Sequence, residues 1–263
     1  MGVQIDSRAV VSSKAKLGEN VSVGPYAVIE DDVVIGGGTW IGPQAMVWSG
    51  TRLGSECKVF PGASVGGPPQ DLKYKGEPTL LEVGDKTVVR ECVTLNRGTV
   101  ESGKTVIGSN CLFMAYSHVA HDCKIGSNVI MANCASLGGH VEIGDWAILG
   151  GLVPVHQFTH IGEHAMIGGG FRVPKDVPPY ILAGQDPLMF EGLNAVGLKR
   201  RGFSQKTIEL LEKTYHLVFR SNLNVSQAVA RIKDEVEMAP EVRKVVDFIA
   251  NSKRGIIGGR RRT

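Results

Sequence analysis

IDSRAV VSSKAK LGENVS VGPYAV IEDDVV IGGGTW IGPQAM VWSGTR LGSECK VFPGAS VGGPPQ, residues 5–70, is a run of eleven consecutive six-residue units. Every unit begins with an aliphatic residue, and its fifth residue is Ala, Val, Thr, Cys or, once, Pro. A period of six matches neither the 3.6 residues of a helix nor the two of a plain strand. A fixed repeat of this kind predicts a solenoid, in which each unit packs on its neighbours.

The same hexads continue through most of the chain, with three over residues 83–100 and twelve over residues 107–178. Three hexads make a triangular coil of 18 residues, with the large aliphatic side chain pointing inward and the small fifth residue near the corner. About nine coils, each rising ~4.8 Å, give a prism roughly 45 Å tall. The sequence therefore predicts an all-β, left-handed parallel β-helix of hexapeptide repeats.

Two interruptions break this regularity. Residues 71–82 (DLKYKGEPTLLE) do not fit a coil and are expected to loop outward, and residues 101–106 (ESGKTV) form a smaller insertion. Long loops on a rigid scaffold often line a functional site. A plain surface loop remains the alternative for both insertions.

The last third of the chain changes character, because the hexads stop near Pro179. Apolar spacing predicts helices over 205–220, 225–237 and 240–251, with Ser204 as an N-cap and Pro240 in a first turn. Residues 188–202 are also expected to be helical, and the tail GGRRRT (258–263) is expected to be disordered. We predict two domains, a β-helix over 1–185 and a helical domain over 186–263.

Composition limits the cellular setting and the partners. The five cysteines include no CxxC pair, and the first residues resemble no secretory leader, so we expect a reducing cytoplasm. No apolar run is long enough to cross a bilayer, and neither stable membrane insertion nor a nucleic-acid partner is expected. Residues 186–263 carry a net charge of +6, against −3 for the rest, so an anionic partner is expected there.

Histidines mark the candidate site, since six of the seven lie between residues 118 and 164. Residues 18 apart in sequence stack on adjacent coils about 5 Å apart. This spacing brings six residues to one corner: His121, Asp122, Gly139, His140, His156 and Gln157. Proton transfer and metal binding both remain open for such a cluster, as does an ordinary surface corner.

The chemistry that fits best is direct acyl transfer. Cys123 falls at an inward position, so it is a poor nucleophile. A histidine beside a carboxylate is a general base near neutral pH, able to deprotonate an acceptor that then attacks a thioester. The Gly138–Gly139 backbone offers N–H groups for the resulting oxyanion.

The chain resembles the UDP-N-acetylglucosamine O-acyltransferase family along essentially its whole length. The resemblance is carried by specific motifs: QDLKYKGEP (70–78), RECVTLNRGT (90–99), HVAHDC (118–123), GGH (138–140), VHQF (155–158), DVPPY (176–180) and GLKRRGF (197–203). It implies a cytosolic homotrimer with active sites between subunits. It also implies transfer of a (R)-3-hydroxyacyl chain from acyl carrier protein to UDP-N-acetylglucosamine, in the first step of lipid A assembly, without a cofactor or a metal.

The resemblance also implies roles for individual residues. His121 matches the catalytic base, Asp122 the carboxylate that orients it, and Gly139 the oxyanion-hole amide. Other residues match positions that contact the substrates: Gln70, Asp71, Lys73, His118, His140, His156, Gln157, Gly169, Asn194, Arg200 and Arg201. The last three match positions that handle the nucleotide, and Gly169 lies where the family measures acyl length. Val196 departs from the pattern, because an acidic residue is expected there.

Several alternatives remain open from the sequence. One is a zinc enzyme of the hexapeptide carbonic anhydrase type, with its metal held by histidines from neighbouring subunits. Another is a CoA-dependent sugar N-acetyltransferase, and a third is a non-catalytic hexapeptide scaffold. Within the favoured family, an acceptor with an amino group in place of the sugar 3-hydroxyl also remains open.

Overall fold

The computed structural model describes residues 2–259 as a left-handed parallel β-helix followed by four helices. Three sheets form the faces of the prism, with strands numbered in chain order. Sheet 1 contains β1 (Gln4–Ile5), β4 (Ser22–Val23), β7 (Trp40–Ile41), β10 (Lys58–Val59), β13 (Val88–Val89), β16 (Leu112–Phe113), β19 (Ile130–Met131), β22 (Ile148–Leu149), β25 (Met166–Ile167), β26 (Ile181–Gly184), β27 (Met189–Leu193) and β28 (Gly258–Gly259).

Sheets 2 and 3 form the other two faces. Sheet 2 contains β2 (Val10–Val11), β5 (Val28–Ile29), β8 (Met46–Val47), β11 (Ser64–Gly67), β14 (Thr94–Asn96), β17 (His118–Val119), β20 (Ser136–Leu137) and β23 (Pro154–Val155). Sheet 3 contains β3 (Lys16–Leu17), β6 (Val34–Ile35), β9 (Thr51–Leu53), β12 (Leu80–Val83), β15 (Lys104–Ile107), β18 (Lys124–Ile125), β21 (Glu142–Ile143) and β24 (His160–Ile161). The predicted fold class is confirmed.

The hexad assigns each side chain its direction. First-position and fifth-position residues such as Val119 and Cys123 are fully buried in the core. The sixth residue points outward, as Lys124 does. Most strands pair with the strand 18 residues further on, as in the pair Ile125–Ile143. Burial of one aliphatic residue per hexad on every face stabilises a continuous core along the prism axis.

Three corners connect the faces, and the fourth residue of many hexads turns there with positive φ. The 1–2 corner, between sheets 1 and 2, includes Tyr116, Cys134 and Leu152. The 2–3 corner includes Asp122, His140 and Phe158. The 3–1 corner includes Trp146, His164 and Tyr180. Positive φ is unusual outside glycine, so these corners hold bulky side chains in a conformation set by the coil.

Both insertions interrupt the coils, but they are shorter than the sequence indicated. Lys58 pairs with Val88, a spacing of 30, and Val88 pairs with Leu112, a spacing of 24. Residues 80–82 were expected in the loop, yet they belong to β12, and residues 104–106 belong to β15. The prediction was wrong there because these residues hydrogen-bond as strands in sheet 3, where pairing with neighbouring coils outweighs the broken hexad register.

The C-terminal part contains α1 (Ala195–Arg200), α2 (Gln205–Phe219), α3 (Val225–Glu235) and α4 (Pro240–Asn251). The three predicted long helices are confirmed, and the Ser204 side chain accepts the N-cap hydrogen bond from the N–H of Thr207. Residues 189–193 were expected to be helical but form β27, which pairs antiparallel with β26. Hydrogen bonding to the open edge of the last coil explains that difference.

The helices pack on the end of the solenoid. The hydroxyl of Tyr215 on α2 donates to the backbone oxygen of Pro179 at 2.6 Å, and its ring stacks on Phe190. Gly258 and Gly259 of the tail form β28, while residues 260–263 lie outside the described residues. The boundary at residues 185 and 186 stays a prediction.

Two surface features of the protein bear on its function. Among residues 2–259, no helix combines the length and apolar character needed to cross a membrane. A groove of about 720 Å³ lies between sheet 3 and α4, bordered by Lys124, Glu142 and Lys244. None of the candidate site residues lines this groove, so geometry and residue chemistry, rather than cavity size, locate the site.

Candidate active site

The 2–3 corner holds a histidine–carboxylate pair. Nδ1 of His121 lies 2.7 Å from Oδ2 of Asp122, and the His121 side chain is 16% exposed while that of Asp122 is fully buried. A carboxylate oxygen only accepts, so Nδ1 carries the proton and Nε2 keeps its lone pair. The pair therefore has the geometry that a general base with an orienting carboxylate requires.

The Asp122 carboxylate accepts hydrogen bonds from other residues besides His121. The N–H and hydroxyl of Thr99 donate to its two oxygens at 2.9 and 2.8 Å, and the Ser102 hydroxyl donates to Oδ1. Burial alone would raise the pKa of this carboxyl, but the hydrogen bonds from Ser102, His121 and Thr99 outweigh it and lower the pKa to about 2. Asp122 is therefore a permanent carboxylate at neutral pH.

Gly139 lies directly against the His121 ring. A Cβ at this position would stand 2.6 Å from Cε1 and 2.8 Å from Nε2, so any side chain there would displace the ring. The Gly139 oxygen accepts from the N–H of Phe158, whereas its own N–H has no hydrogen-bond partner among residues 2–259. A free backbone donor beside the base fits the predicted oxyanion position.

Two further histidines lie next to this pair. Nε2 of His140 lies 3.5 Å from Oδ2 of Asp122 and 3.3 Å from a carboxylate oxygen of Glu101, and its ring is T-shaped to that of His121. Nδ1 of His118 lies 2.7 Å from the Thr94 hydroxyl, and burial, together with the nearby His121, lowers the pKa of His118. His118 is therefore neutral at pH 7.

His156 and Gln157 occupy the next coil at the same corner. Nδ1 of His156 donates to the backbone oxygen of Gln157 at 3.0 Å. In the neutral ring, Nε2 of His156 is then a free acceptor. Gln157 is exposed, and its backbone N is the atom that a side chain at Gly138 would meet at 2.8 Å. The structure thus brings together the six residues that sequence spacing assigned to this corner.

The extruded loop supplies three predicted substrate residues. Gln70 and Lys73 are exposed, and Asp71 is half-buried, with Oδ1 accepting from the N–H of Lys73 at 2.9 Å. The loop is fixed by Arg97, whose guanidinium donates to the hydroxyl of Tyr74 at 2.9 and 3.1 Å. The sequence motifs contain both Arg97 and Tyr74, but hexad spacing gives no signal that they meet.

The predicted nucleotide residues lie elsewhere, near the 3–1 corner. The Asn194 side chain caps α1 and donates to the backbone oxygen of His164 at 3.0 Å. Arg201 lies over the Trp146 ring at 5.1 Å, and its Nη1 is 3.5 Å from Nδ1 of His164. Arg200 is exposed on the same helix. Within one chain these residues and His121 occupy different edges of the prism.

His164 lies at the 3–1 corner. It is buried between the rings of Trp146 and Tyr180, and burial followed by the charge of Arg201 lowers its pKa to about 4. Only the 18-residue spacing from Trp146 could have signalled this aromatic stack. Gly169, the predicted acyl-length residue, is exposed and stacks on Gly151 in the coil that continues the 1–2 corner.

A metal could in principle use part of this donor set, since ligand atoms of His121, Asp122 and His140 lie within 4.8 Å of one another. The carboxylate of Asp122, however, already accepts hydrogen bonds from Thr99, Ser102 and His121. A metal would have to displace one of them. The hydrogen bonds to Asp122 therefore fit a carboxylate that orients His121 better than a carboxylate that binds a metal ion.

The hexapeptide β-helix places the chain in the class of hexapeptide-repeat transferases. The histidine–carboxylate pair and the free glycine N–H at one corner are suited to acyl transfer. Two family models match the chain. The bacterial transferase hexapeptide model (six repeats) matches residues 104–139, and the model described as UDP-N-acetylglucosamine O-acyltransferase, domain 2, matches residues 176–257.

Curated relatives and solved structures agree with these matches. An acyl-[acyl-carrier-protein]–UDP-N-acetylglucosamine O-acyltransferase from Thermodesulfovibrio yellowstonii is 47% identical over 254 residues, covering 96% of this chain and 98% of the relative. The UDP-N-acetylglucosamine acyltransferase of Bacteroides fragilis matches with a TM-score of 0.95 and 44% identity, over 97% of this chain and all of that chain. The UDP-N-acetylglucosamine acyltransferase of Arabidopsis matches with a TM-score of 0.83 and 34% identity, over 96% of this chain and 99% of that chain. The chain belongs to the family of acyl-[acyl-carrier-protein]–UDP-N-acetylglucosamine O-acyltransferases.

Proposed function

We propose that this protein transfers a (R)-3-hydroxyacyl chain from acyl carrier protein to the 3-hydroxyl of UDP-N-acetylglucosamine, the first step of lipid A biosynthesis. The observation that carries the chemistry is the 2.7 Å contact between His121 and the buried, permanently ionised Asp122. Family membership supports the identity of the two substrates. All five cysteines are free, which suits the reducing cytoplasm that we propose for the enzyme.

The proposed mechanism uses one base and no covalent enzyme intermediate. Nε2 of His121 takes the proton of the acceptor hydroxyl, whose oxygen attacks the thioester carbonyl carbon. The new C–O bond forms a tetrahedral oxyanion, which the N–H of Gly139 stabilises. The intermediate collapses with cleavage of the C–S bond, and the departing sulfur receives the proton from His121. Asp122 stabilises the imidazolium between these two proton transfers.

The substrate contacts are proposed on position and chemistry. Gln70, Asp71 and Lys73 extend from the coil on a loop fixed beside the 2–3 corner. His118, His140, His156 and Gln157 present polar atoms on the same corner and the adjoining face. Asn194, Arg200 and Arg201 suit the nucleotide, because the planar fork of arginine makes paired hydrogen bonds with a diphosphate. Gly169, exposed and without a side chain, suits the acyl chain.

A homotrimer would complete this site. Six residues separate successive corners, so the 2–3 and 3–1 corners of one chain lie roughly 20 Å apart. A single nucleotide sugar reaching both His121 and Arg201 therefore needs two chains. Sheet 1 supports such packing, since its outward residues Leu112, Ile130 and Ile148 form an apolar ladder. Sheet 3 instead carries the ion pair Lys124–Glu142.

The test is transfer of radiolabelled UDP-N-acetylglucosamine into product, with a panel of 3-hydroxyacyl carrier proteins. We expect an acylated product with wild-type protein, and a rate two to four orders of magnitude lower for His121→Ala. Near-normal turnover by His121→Ala would remove this residue as the base. Product formed only with the 3-amino sugar would change the acceptor, and CoA dependence would favour the sugar N-acetyltransferase.

A further inference from the structure

The two insertions of the solenoid are fastened to each other. Tyr74 lies in the first loop, and its hydroxyl accepts from Nη2 and Nε of Arg97 at 2.9 and 3.1 Å. The same hydroxyl donates to the backbone oxygen of Glu77 at 2.8 Å, which closes the loop on itself. Arg97 directly follows β14, in the segment that leads into the second insertion, so one side chain joins the extruded loop to that segment.

Arg97 also ties this pair to the rigid coils. Its Nη1 donates to the backbone oxygens of Ser49 and Gly66 at 3.0 and 3.3 Å. Among the described residues, every hydrogen bond between residues 70–77 and the rest of the protein passes through the Tyr74 hydroxyl. The other hydrogen bonds of these residues are internal to the loop, and Leu72 in it is fully exposed.

The residues that follow Arg97 contact the 2–3 corner, which holds His121 and Asp122 and is called the catalytic corner below. Thr99 and Ser102 donate to the Asp122 carboxylate, and a Glu101 oxygen lies 3.3 Å from Nε2 of His140. The short segment 97–102 therefore contacts the substrate loop on one side and the base's carboxylate on the other. Its geometry fixes the distance between the loop and His121.

We propose that Arg97 and Tyr74 form a latch that positions the extruded loop, with Asp71 and Lys73, against the catalytic corner. The kinetic part of this proposal rests on the proposed function. A substrate contact loses most of its effect when it is misplaced by about 1 Å, so a loop released from its tie loses rate although its contact residues remain. Arg97 and Tyr74 act through the loop and are positioning residues.

Two conservative variants test the latch. Tyr74→Phe keeps the ring and removes the hydroxyl, and Arg97→Lys keeps the charge but cannot make the four hydrogen bonds of the guanidinium. The matched controls are Tyr26→Phe and Arg8→Lys, because the Arg8 guanidinium lies 5.2 Å from the Tyr26 ring centroid on the first coils, which hold none of the site residues.

We expect both latch variants to lower kcat/KM by about 10-fold, with circular dichroism and oligomeric state unchanged, and the controls to match wild type. The double variant should be no slower than the slower single variant, because both remove the same tie. Hydrogen–deuterium exchange should accelerate in residues 70–77 and stay unchanged in residues 118–123. The pH dependence of kcat should also keep its wild-type shape, since His121 and Asp122 are untouched.

Wild-type exchange rates in the loop of Tyr74→Phe would overturn the latch, as would additive losses in the double variant. The exchange measurement needs no turnover. If wild-type protein formed no product with any donor or acceptor, the proposed function would fail while faster loop exchange in Tyr74→Phe would still support the latch.

Discussion

A Cβ added to Gly139 would lie 2.6 Å from Cε1 and 2.8 Å from Nε2 of His121, closer than any side chain can approach without displacing the ring. We therefore expect Gly139→Ala to lower kcat by two to three orders of magnitude, the range for a lost oxyanion donor or a misplaced base. The measurement is steady-state acyl transfer, with circular dichroism as a check on folding.

A matched control for Gly139→Ala is available at the same hexad position. In Gly37→Ala the new Cβ would lie 3.1 Å from the backbone oxygen of Glu19, a milder crowding of the coil that involves no site residue. This variant should keep near-normal kcat. Equal losses in both variants would show that crowding of the coil, rather than the position of His121, explains the effect.

The low pKa of Asp122, about 2, predicts an acid-dependent stability. Because the folded pKa lies below the unfolded value of about 3.9, the carboxylate stabilises the fold above pH 4, and this contribution disappears as pH falls toward 2. The full contribution is about 2–3 kcal/mol. Urea unfolding of wild type and Asp122→Asn should differ most above pH 4 and converge near pH 2. A difference independent of pH would contradict this origin.

Arg201 is half-buried against Trp146 and His164, whereas Arg200 on the same helix is exposed. If Arg201 binds the diphosphate, Arg201→Ala should raise KM for the nucleotide sugar by about 10- to 100-fold with little change in kcat, the pattern for a uniform binding contact. Arg220→Ala, which removes a guanidinium 5.8 Å from the Phe190 ring, is the control. A fall in kcat at constant KM would argue against nucleotide binding by Arg201.

The sequence predicted the repeating part of the structure well because the hexad encodes direction and register at once. The 18-residue spacing placed His121 beside Gly139 and Asp122 beside His140, since stacked coils turn sequence distance into spatial distance. The prediction failed where that rule does not apply. Residues 189–193 carry no hexad, and their strand depends on the open edge left by β26.

Contacts between irregular segments also could not be predicted from the sequence. Arg97 meets Tyr74 across 23 residues that follow no period, and Thr99 reaches Asp122 only because the second insertion folds back over the corner. The contacts of His164 with Asn194 and Arg201 could not be predicted for a related reason, because both partners come from the region after the repeats. Spacing predicts neighbours within the solenoid, whereas these contacts require the folded chain.

Substitution of Cys123 tests whether this thiol acts as a nucleophile in the reaction. The thiol is completely buried, and burial raises its pKa to about 12, so it is neither accessible nor ionised at neutral pH. Because Ala occupies the same hexad position at Ala135 and Ala147, Cys123→Ala should fold and keep at least a third of wild-type kcat. Loss of activity in a well-folded Cys123→Ala protein, or a trapped acyl-enzyme, would overturn direct transfer.

We expect opposite effects when an outward aliphatic residue is replaced by arginine on sheet 1 and on sheet 3. Ile148 and Val106 are both half-buried, outward residues that directly precede an inward aliphatic residue. Ile148 lies in the apolar ladder of sheet 1, whereas Val106 lies beside Glu82 and Lys124 on sheet 3. An arginine is costly in a covered apolar face and tolerated on a charged, solvated one. Light scattering after size exclusion should give monomers without activity for Ile148→Arg, and active trimers for Val106→Arg. An active trimer of Ile148→Arg would show that sheet 1 is not the surface that joins the subunits.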